Sequence, residues 1–184
     1  SQYYLSPLGE VLKAALPIPP VRFAPSVREH NGHLPSASSL RLSSYDSSTE
    51  LGGIYTALKR QTFSPFLLWA DPAERLTLYR DLLESAMRDA KSAILLFPKI
   101  LSSQRFAEEL RKIWGRRVAL IHDDLSRGQI WREWAAAKGG TARIVLGSRS
   151  AVFSPPEKPD LIVIDEEQDT GYREERRPRY NARD

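Results

Sequence analysis

Cysteine is missing from all 184 residues, which excludes disulfides and thiolate metal sites and leaves the composition expected of a cytoplasmic protein. Long apolar runs are missing too. No stretch approaches the roughly 20 residues that a helix needs to cross a bilayer, so no membrane partner is expected. The first residues alternate apolar side chains with Ser, Glu and Lys rather than forming a secretory leader. Histidine is scarce: His30, His33 and His122 are the whole set. The i, i+3 pair sits in a polar stretch and reads as solvated loop, so no metal site is expected. One more absence has larger consequences. No Gly-Lys dipeptide occurs, and a P-loop requires Gly-x-x-x-x-Gly-Lys-Ser/Thr to cradle phosphates.

What is present points to an ordinary globular interior with a cationic surface. Hydrophobic residues make up 41% and the formal charge is +4, with 20 Arg against 7 Lys among the 27 cations. Arginine suits bidentate phosphate contacts and stacking, but a modest positive excess is common in proteins that never meet nucleic acid. The most informative stretch is Leu161-Ile162-Val163-Ile164-Asp165-Glu166-Glu167-Gln168-Asp169. Four apolar residues read as a strand buried on both faces of a parallel sheet. The acids after it fall at the carboxyl end of the strand, where open α/β sheets place their ligands. Asp-Glu there suits Mg²⁺ binding and polarisation of a water; equally, the acids could simply cap the next element.

The segment running on from Asp165 through Thr170-Gly171-Tyr172-Arg173, together with Pro178-Arg179-Tyr180-Asn181, resembles the DEEH box and following aromatic loop of the PriA family. These are the bacterial primosomal proteins N′, superfamily-2 helicases that restart stalled replication forks. Gln168 stands where that family has His, and Asn181 where it usually has a second His. Phe97-Pro98-Lys99-Ile100 is similar to the family's VPEI motif, with Lys99 in place of Glu. Gly147-Ser148-Arg149-Ser150-Ala151-Val152-Phe153-Ser154-Pro155 is similar to its GTRSA motif. The stretch Tyr3-Tyr4 to Pro17 looks like the segment with which the family leaves its N-terminal DNA-end-binding domain.

Taken in order, residues 1–17 read as a remnant of that preceding domain, a short helix stopped at Pro17. Residues 18–48 are rich in Pro, Ser and Arg without periodicity and read as linker; thirty such residues are too few for the winged-helix domain the family places there. Residues 49–184 alternate strands and helices. Strands are expected at 66–69, 93–97, 118–121, 143–146 and 161–164, with helices between them opened by Asp71-Pro72-Ala73-Glu74 and Ser126. The fold class is therefore α/β, with a mostly parallel, doubly wound sheet of five strands and Leu161–Ile164 at its centre. The resemblance implies that this is the first RecA-like lobe of a helicase. Three Trp residues at 114, 131 and 134 fall at helical spacing and read as core.

The resemblance also implies roles. Lys99, Gly147, Ser148 and Arg149 would grip a DNA backbone, and Tyr172, Arg173, Arg177 and Arg179 would interleave stacking and cationic groups along single-stranded DNA. Against this, a Gly-Ser helix cap with Arg149 in an ion pair, and a solvated charged loop, give the same local patterns. Asp165 and Glu166 would be the catalytic carboxylates, yet the phosphate cradle is replaced by Asp71, Pro72, Ala73 and Glu74. Pro72 has no amide to donate, and Asp71 and Glu74 repel phosphate. The expectation is a protein that recognises forked or single-stranded DNA and assembles other primosome proteins, without an ATPase of its own and with no cofactor. An active ATP-dependent helicase using ATP and Mg²⁺, or an α/β interaction module that has lost DNA, are the alternatives.

Overall fold

The computed structural model describes residues 50–156, 158–174 and 180–181. The expected N-terminal remnant and linker lie outside them. Four short strands, β1 (Ala93–Leu96), β2 (Val118–Ile121), β3 (Ile144–Gly147) and β4 (Leu161–Ile164), form one sheet in the order β2-β3-β1-β4. Every pairing is parallel. Helices α1 (Glu50–Arg60) and α2 (Pro72–Arg88) precede the sheet, while α3 (Ile100–Trp114) and α4 (Arg127–Lys138) are crossovers within it. A two-stranded antiparallel ribbon, β5 (Arg173–Glu174) with β6 (Tyr180–Asn181), follows.

The period-two alternation of side chains along each strand divides the interior into two layers. Ala93, Leu95, Ile144, Leu146, Val118 and Leu120 face α2 and α3, where Tyr79, Leu83, Phe106 and Leu110 meet them. Ile94, Leu96, Ala119, Ile121 and Val145 face the other way, toward Ala137 of α4, Ala151 and Tyr172. β1 is buried at all four positions because β3 and β4 flank it and both layers cover it. Two helices start as their sequences dictate. Pro72 occupies the first position of α2 after Asp71, although the Asp71 side chain makes no capping bond. At α4, Ser126 and Gln129 form a reciprocal capping box. Glu133 of α4 accepts from Arg111 of α3 at 3.0 Å and from the Leu120 amide at 3.0 Å. That amide is on edge strand β2, and the carboxylate satisfies it in place of a neighbouring strand.

Two expectations fail, and they fail together. Phe66–Trp69 is not a strand: Leu67 is 80% and Trp69 100% exposed, and the segment runs irregularly between α1 and α2. Phe66 packs instead beside Gly53 of α1, while Leu68 reaches the core. The sheet among the described residues therefore has four strands, not five. β4 is not central but an edge strand paired only with β1, and Ile162, on the same face as Ile94, is 57% exposed. The three Trp residues are half-buried: Trp114 and Trp134 pack on the two cores, and Trp131 stacks on Trp134 at 5.7 Å. No helix among the described residues is long and apolar enough to cross a membrane.

Candidate functional site at the carboxyl edge of the sheet

Parallel register places the strand ends side by side: Leu96 pairs with Gly147 and Ile164, and Ile121 pairs with Gly147. The residues that follow therefore emerge from one rim. One further rung stitches them, with the amide of Asp165 donating to Leu96 O at 2.9 Å, Phe97 to Gly147 O at 2.9 Å and Ser148 to Ile121 O at 3.2 Å. Sequence segments of quite different position, 97–99, 122–123, 147–149 and 165–169, are thus neighbours. The sequence reading placed Asp165 and Glu166 at a strand's carboxyl end; Lys99, Gly147, Ser148 and Arg149, expected in DNA-facing loops, lie at or just after strand ends on the same rim.

Asp165 is the buried centre, 6% exposed. Its Oδ1 accepts from the Tyr79 hydroxyl at 3.0 Å and lies 3.3 Å from Arg75 Nη1. The other terminal nitrogen of Arg75, Nη2, donates to Glu166 Oε1, also at 3.3 Å. One guanidinium therefore bridges two adjacent carboxylates, and both Arg75 and Tyr79 come from one face of α2, four residues apart. Burial pushes the Asp165 carboxyl above its usual range, opposed by the Tyr79 hydrogen bond and the Arg75 charge. Burial likewise raises the Tyr79 phenol, reinforced by the Asp165 charge, so it stays a protonated donor. Glu166 adopts a left-handed φ of 48°, and the chain closes behind it as Asp169 N donates to Glu166 O at 2.8 Å and Gly171 N to Asp169 Oδ1 at 2.7 Å. Glu167 and Gln168 face solvent.

Tyr172 is the next element of the site, and it does not take the role the sequence suggested. Its exposure is 0%, and its hydroxyl donates to Leu96 O at 2.9 Å and Asp165 O at 2.5 Å. A ring enclosed in this way is not open to a stacking base; it ties the acidic turn to β1. Burial keeps its phenol protonated, far above the usual range.

The Gly147-Ser148-Arg149 turn needs its glycine. A Cβ at Gly147 would stand 1.8 Å from Ile121 O and 2.6 Å from Ala151 Cβ, so only a hydrogen lets β2 and β3 close at the rim. Ser148 is buried, with its hydroxyl 3.3 Å from that of Ser150. Arg149 opens the 3₁₀ turn Arg149–Phe153 and reaches across to Gly171 O and Arg173 O, both at 3.5 Å, and to Asp123 at 3.7 Å. Lys99 and Arg173 are exposed at the rim. Arg177 and Arg179 lie outside the described residues.

Residues 71–75 do not fit a nucleotide with its metal. Pro72 stands first in α2 where an amide donor would be needed, Asp71 and Glu74 are exposed carboxylates in the same turn, and Arg75 already occupies the acidic pair. Ala73 lies within the same first turn. Among the described residues no group of three or more His, Cys, Asp or Glu is placed to hold a metal ion. Arg75 and Tyr79 are the site residues that sequence reasoning missed. Their i, i+4 spacing on a helix opened beside the strand ends was the only signal of a shared face.

No protein-family model matches the chain. Curated proteins do. The chain is 35% identical over 133 residues, 71% of its length, to the replication restart protein PriA of Chlamydia pneumoniae. It is 33% identical over 130 residues to that of Helicobacter pylori, covering 70% of the chain, and 35% identical over 107 residues, 58% of the chain, to that of Bacillus subtilis. It spans only 18%, 21% and 13% of those three proteins. A parallel α/β sheet with an acidic turn at its carboxyl rim agrees with a RecA-like helicase lobe, and with it the sequence likeness identifies the chain as PriA-like.

Proposed function

We propose that this lobe serves replication restart by recognising forked or single-stranded DNA in the cytoplasm and helping assemble primosome proteins, without an ATPase of its own. The observation that carries the reading is Arg75, whose guanidinium spans Asp165 and Glu166 where nucleotide-bound metal would otherwise be needed. The start of α2 supports it, since Asp71-Pro72-Ala73-Glu74 offers negative charge and one amide fewer to a triphosphate. A phosphate cradle acts through several charged hydrogen bonds of about 1.5–3 kcal/mol each. Losing three removes at least about 4 kcal/mol, close to a thousandfold in affinity. DNA contact falls to the exposed cations of the rim, Lys99 and Arg173 with the partly covered Arg149, and by sequence to Arg177 and Arg179. Gly147 and Ser148 shape the turn that presents Arg149, and Tyr172 supports it from within.

Calorimetry of the full-length protein with a non-hydrolysable ATP analogue and Mg²⁺ tests the first half: no binding tighter than about millimolar is expected, and a low-micromolar dissociation constant refutes it. Fluorescence anisotropy with forked DNA tests the second. Affinity should fall with salt, and each of Arg149→Ala and Arg173→Ala should flatten the log–log salt slope by up to about one unit. Absent or salt-independent binding would leave the interaction module that has lost DNA.

A further inference from the structure

We propose that Arg75 is a built-in counter-ion that has taken the place of a divalent cation at Asp165 and Glu166, and that removing its charge opens a weak divalent-cation site there. The inference rests on the reading that this lobe does not use a nucleotide–metal complex, and it adds what fills the vacated role.

The geometry is that of a bridge. Two different nitrogens of one guanidinium each meet a different carboxylate, both at 3.3 Å, as a metal ion joins two oxygens from separate residues. The Asp165 end of the bridge is shielded from water, with the Arg75 side chain 18% and the Asp165 side chain 9% exposed, while the Glu166 side chain is 32% exposed. In such a place charges require close partners, because neither is well hydrated. Two adjacent carboxylates without a cation would repel one another, and the buried Asp165 would also bear a desolvation cost. Tyr79, one turn further along α2, supplies a third, neutral contact to the same Asp165 oxygen. The left-handed backbone of Glu166, uncommon for a residue with a side chain, is held in a turn where both acids reach a single cation. Arginine suits this position better than lysine, since its planar fork meets two acceptors at once.

The test uses the full-length protein, with Mn²⁺ as probe. Arg75→Gln removes the charge and shortens the side chain while leaving a neutral amide in its place. Its melting temperature should be lower than wild type. Mn²⁺ at about ten times its dissociation constant should then raise it, since this occupancy favours the folded state roughly elevenfold, with equal ionic strength of NaCl giving no such rise. Wild type and Arg75→Lys, which keep a cation in place, should not respond. Adding Glu166→Gln to Arg75→Gln should abolish the response, which assigns it to this pair. An Arg75→Gln variant indifferent to Mn²⁺, or a wild type that responds equally, overturns the proposal. Should Arg75→Gln fail to fold, electron paramagnetic resonance on wild type decides: Mn²⁺ bound more tightly than about millimolar and lost on Glu166→Gln shows that Arg75 does not exclude a metal, whereas no such binding supports the exclusion. Tight binding of the ATP analogue would overturn the proposed function itself. A protein that ignores nucleotide while Arg75→Gln ignores Mn²⁺ overturns the counter-ion alone.

Discussion

Tyr172 separates two accounts of the acidic turn, because the sequence gives its ring to DNA and the fold gives it to the core. Replacing Tyr172 by Phe keeps the ring and removes only the hydroxyl. In the structure that hydroxyl donates to Leu96 O and Asp165 O. Leu96 O keeps a second donor, the Asp165 amide at 2.9 Å, so the loss falls mainly on the Asp165 carbonyl. A buried acceptor left without its partner costs about 1–3 kcal/mol, and the lower half of that range applies here since one carbonyl remains served. For a chain of this length about 1–2 kcal/mol corresponds to a fall of roughly 2–8 °C in melting temperature. Tyr172→Ala, which also empties the space of a fully buried ring, should cost about 3–5 kcal/mol. A stacking residue behaves in the opposite way. Phe stacks as well as Tyr, so stability and DNA affinity would both survive Tyr172→Phe, and Tyr172→Ala would lower affinity without lowering stability. Thermal melts beside DNA anisotropy distinguish the two, and an unchanged melting temperature for Tyr172→Phe refutes the placement of this ring.

Gly147→Ala should destabilise by at least about 2 kcal/mol in urea titration, because its Cβ meets backbone at 1.8 Å rather than a side chain that could turn away; a neutral result would mean that β2 and β3 close less tightly. The pH dependence of stability should carry the signature of Asp165. Burial raises its carboxyl from the ordinary 3.8, so the folded state holds this proton more tightly than the unfolded chain does. Its contribution is most favourable below the unfolded value and is lost as pH rises through the raised folded value. Asp165→Asn cannot titrate, so wild type should lose stability relative to this variant across that interval, and parallel pH profiles would contradict the burial argument.

How much of this was legible beforehand depended on whether a feature is local. β1, β2 and β4 were readable because each is a run of apolar residues between polar turns. The helices were readable because Asp71-Pro72 and Ser126 mark starts and Leu82, Leu83 and Ala86 mark one face. Phe66–Trp69 has the same local look as those strands, yet a strand exists only where a neighbour supplies hydrogen bonds, and no local pattern records that. The position of β4 at an edge rather than the centre is non-local in the same sense: four apolar residues in a row do not reveal which side lacks a partner. Asp165 and Glu166 were found because acids directly after a strand mark its carboxyl end. Arg75 was not, since its partners lie about ninety positions away in sequence. Tyr172 was misjudged because an aromatic among arginines has the composition of a DNA platform, whereas the 3₁₀ turn Thr170–Tyr172 folds it inward.

The acidic turn and the start of α2 are physically one unit. Under the counter-ion reading, Asp165 and Glu166 no longer depend on a nucleotide for their charge balance, since α2 brings Arg75 and the Tyr79 hydroxyl to them. Arg75 in turn would be a poorly hydrated charge without them. Removing one member of such a set leaves an uncompensated charge, which costs more than the pair itself contributes. This mutual dependence would hold an Asp-Glu pair at the strand end even without a demand from catalysis. The helix that supplies Arg75 and Tyr79 thus fixes the carboxylates, and Tyr172 and Arg149 connect that centre to the rim where Lys99 and Arg173 face solvent. Under the proposed function, a lobe arranged in this way would keep its rim in a single geometry, whereas one that exchanges nucleotide and metal at the acidic pair would move it with each exchange.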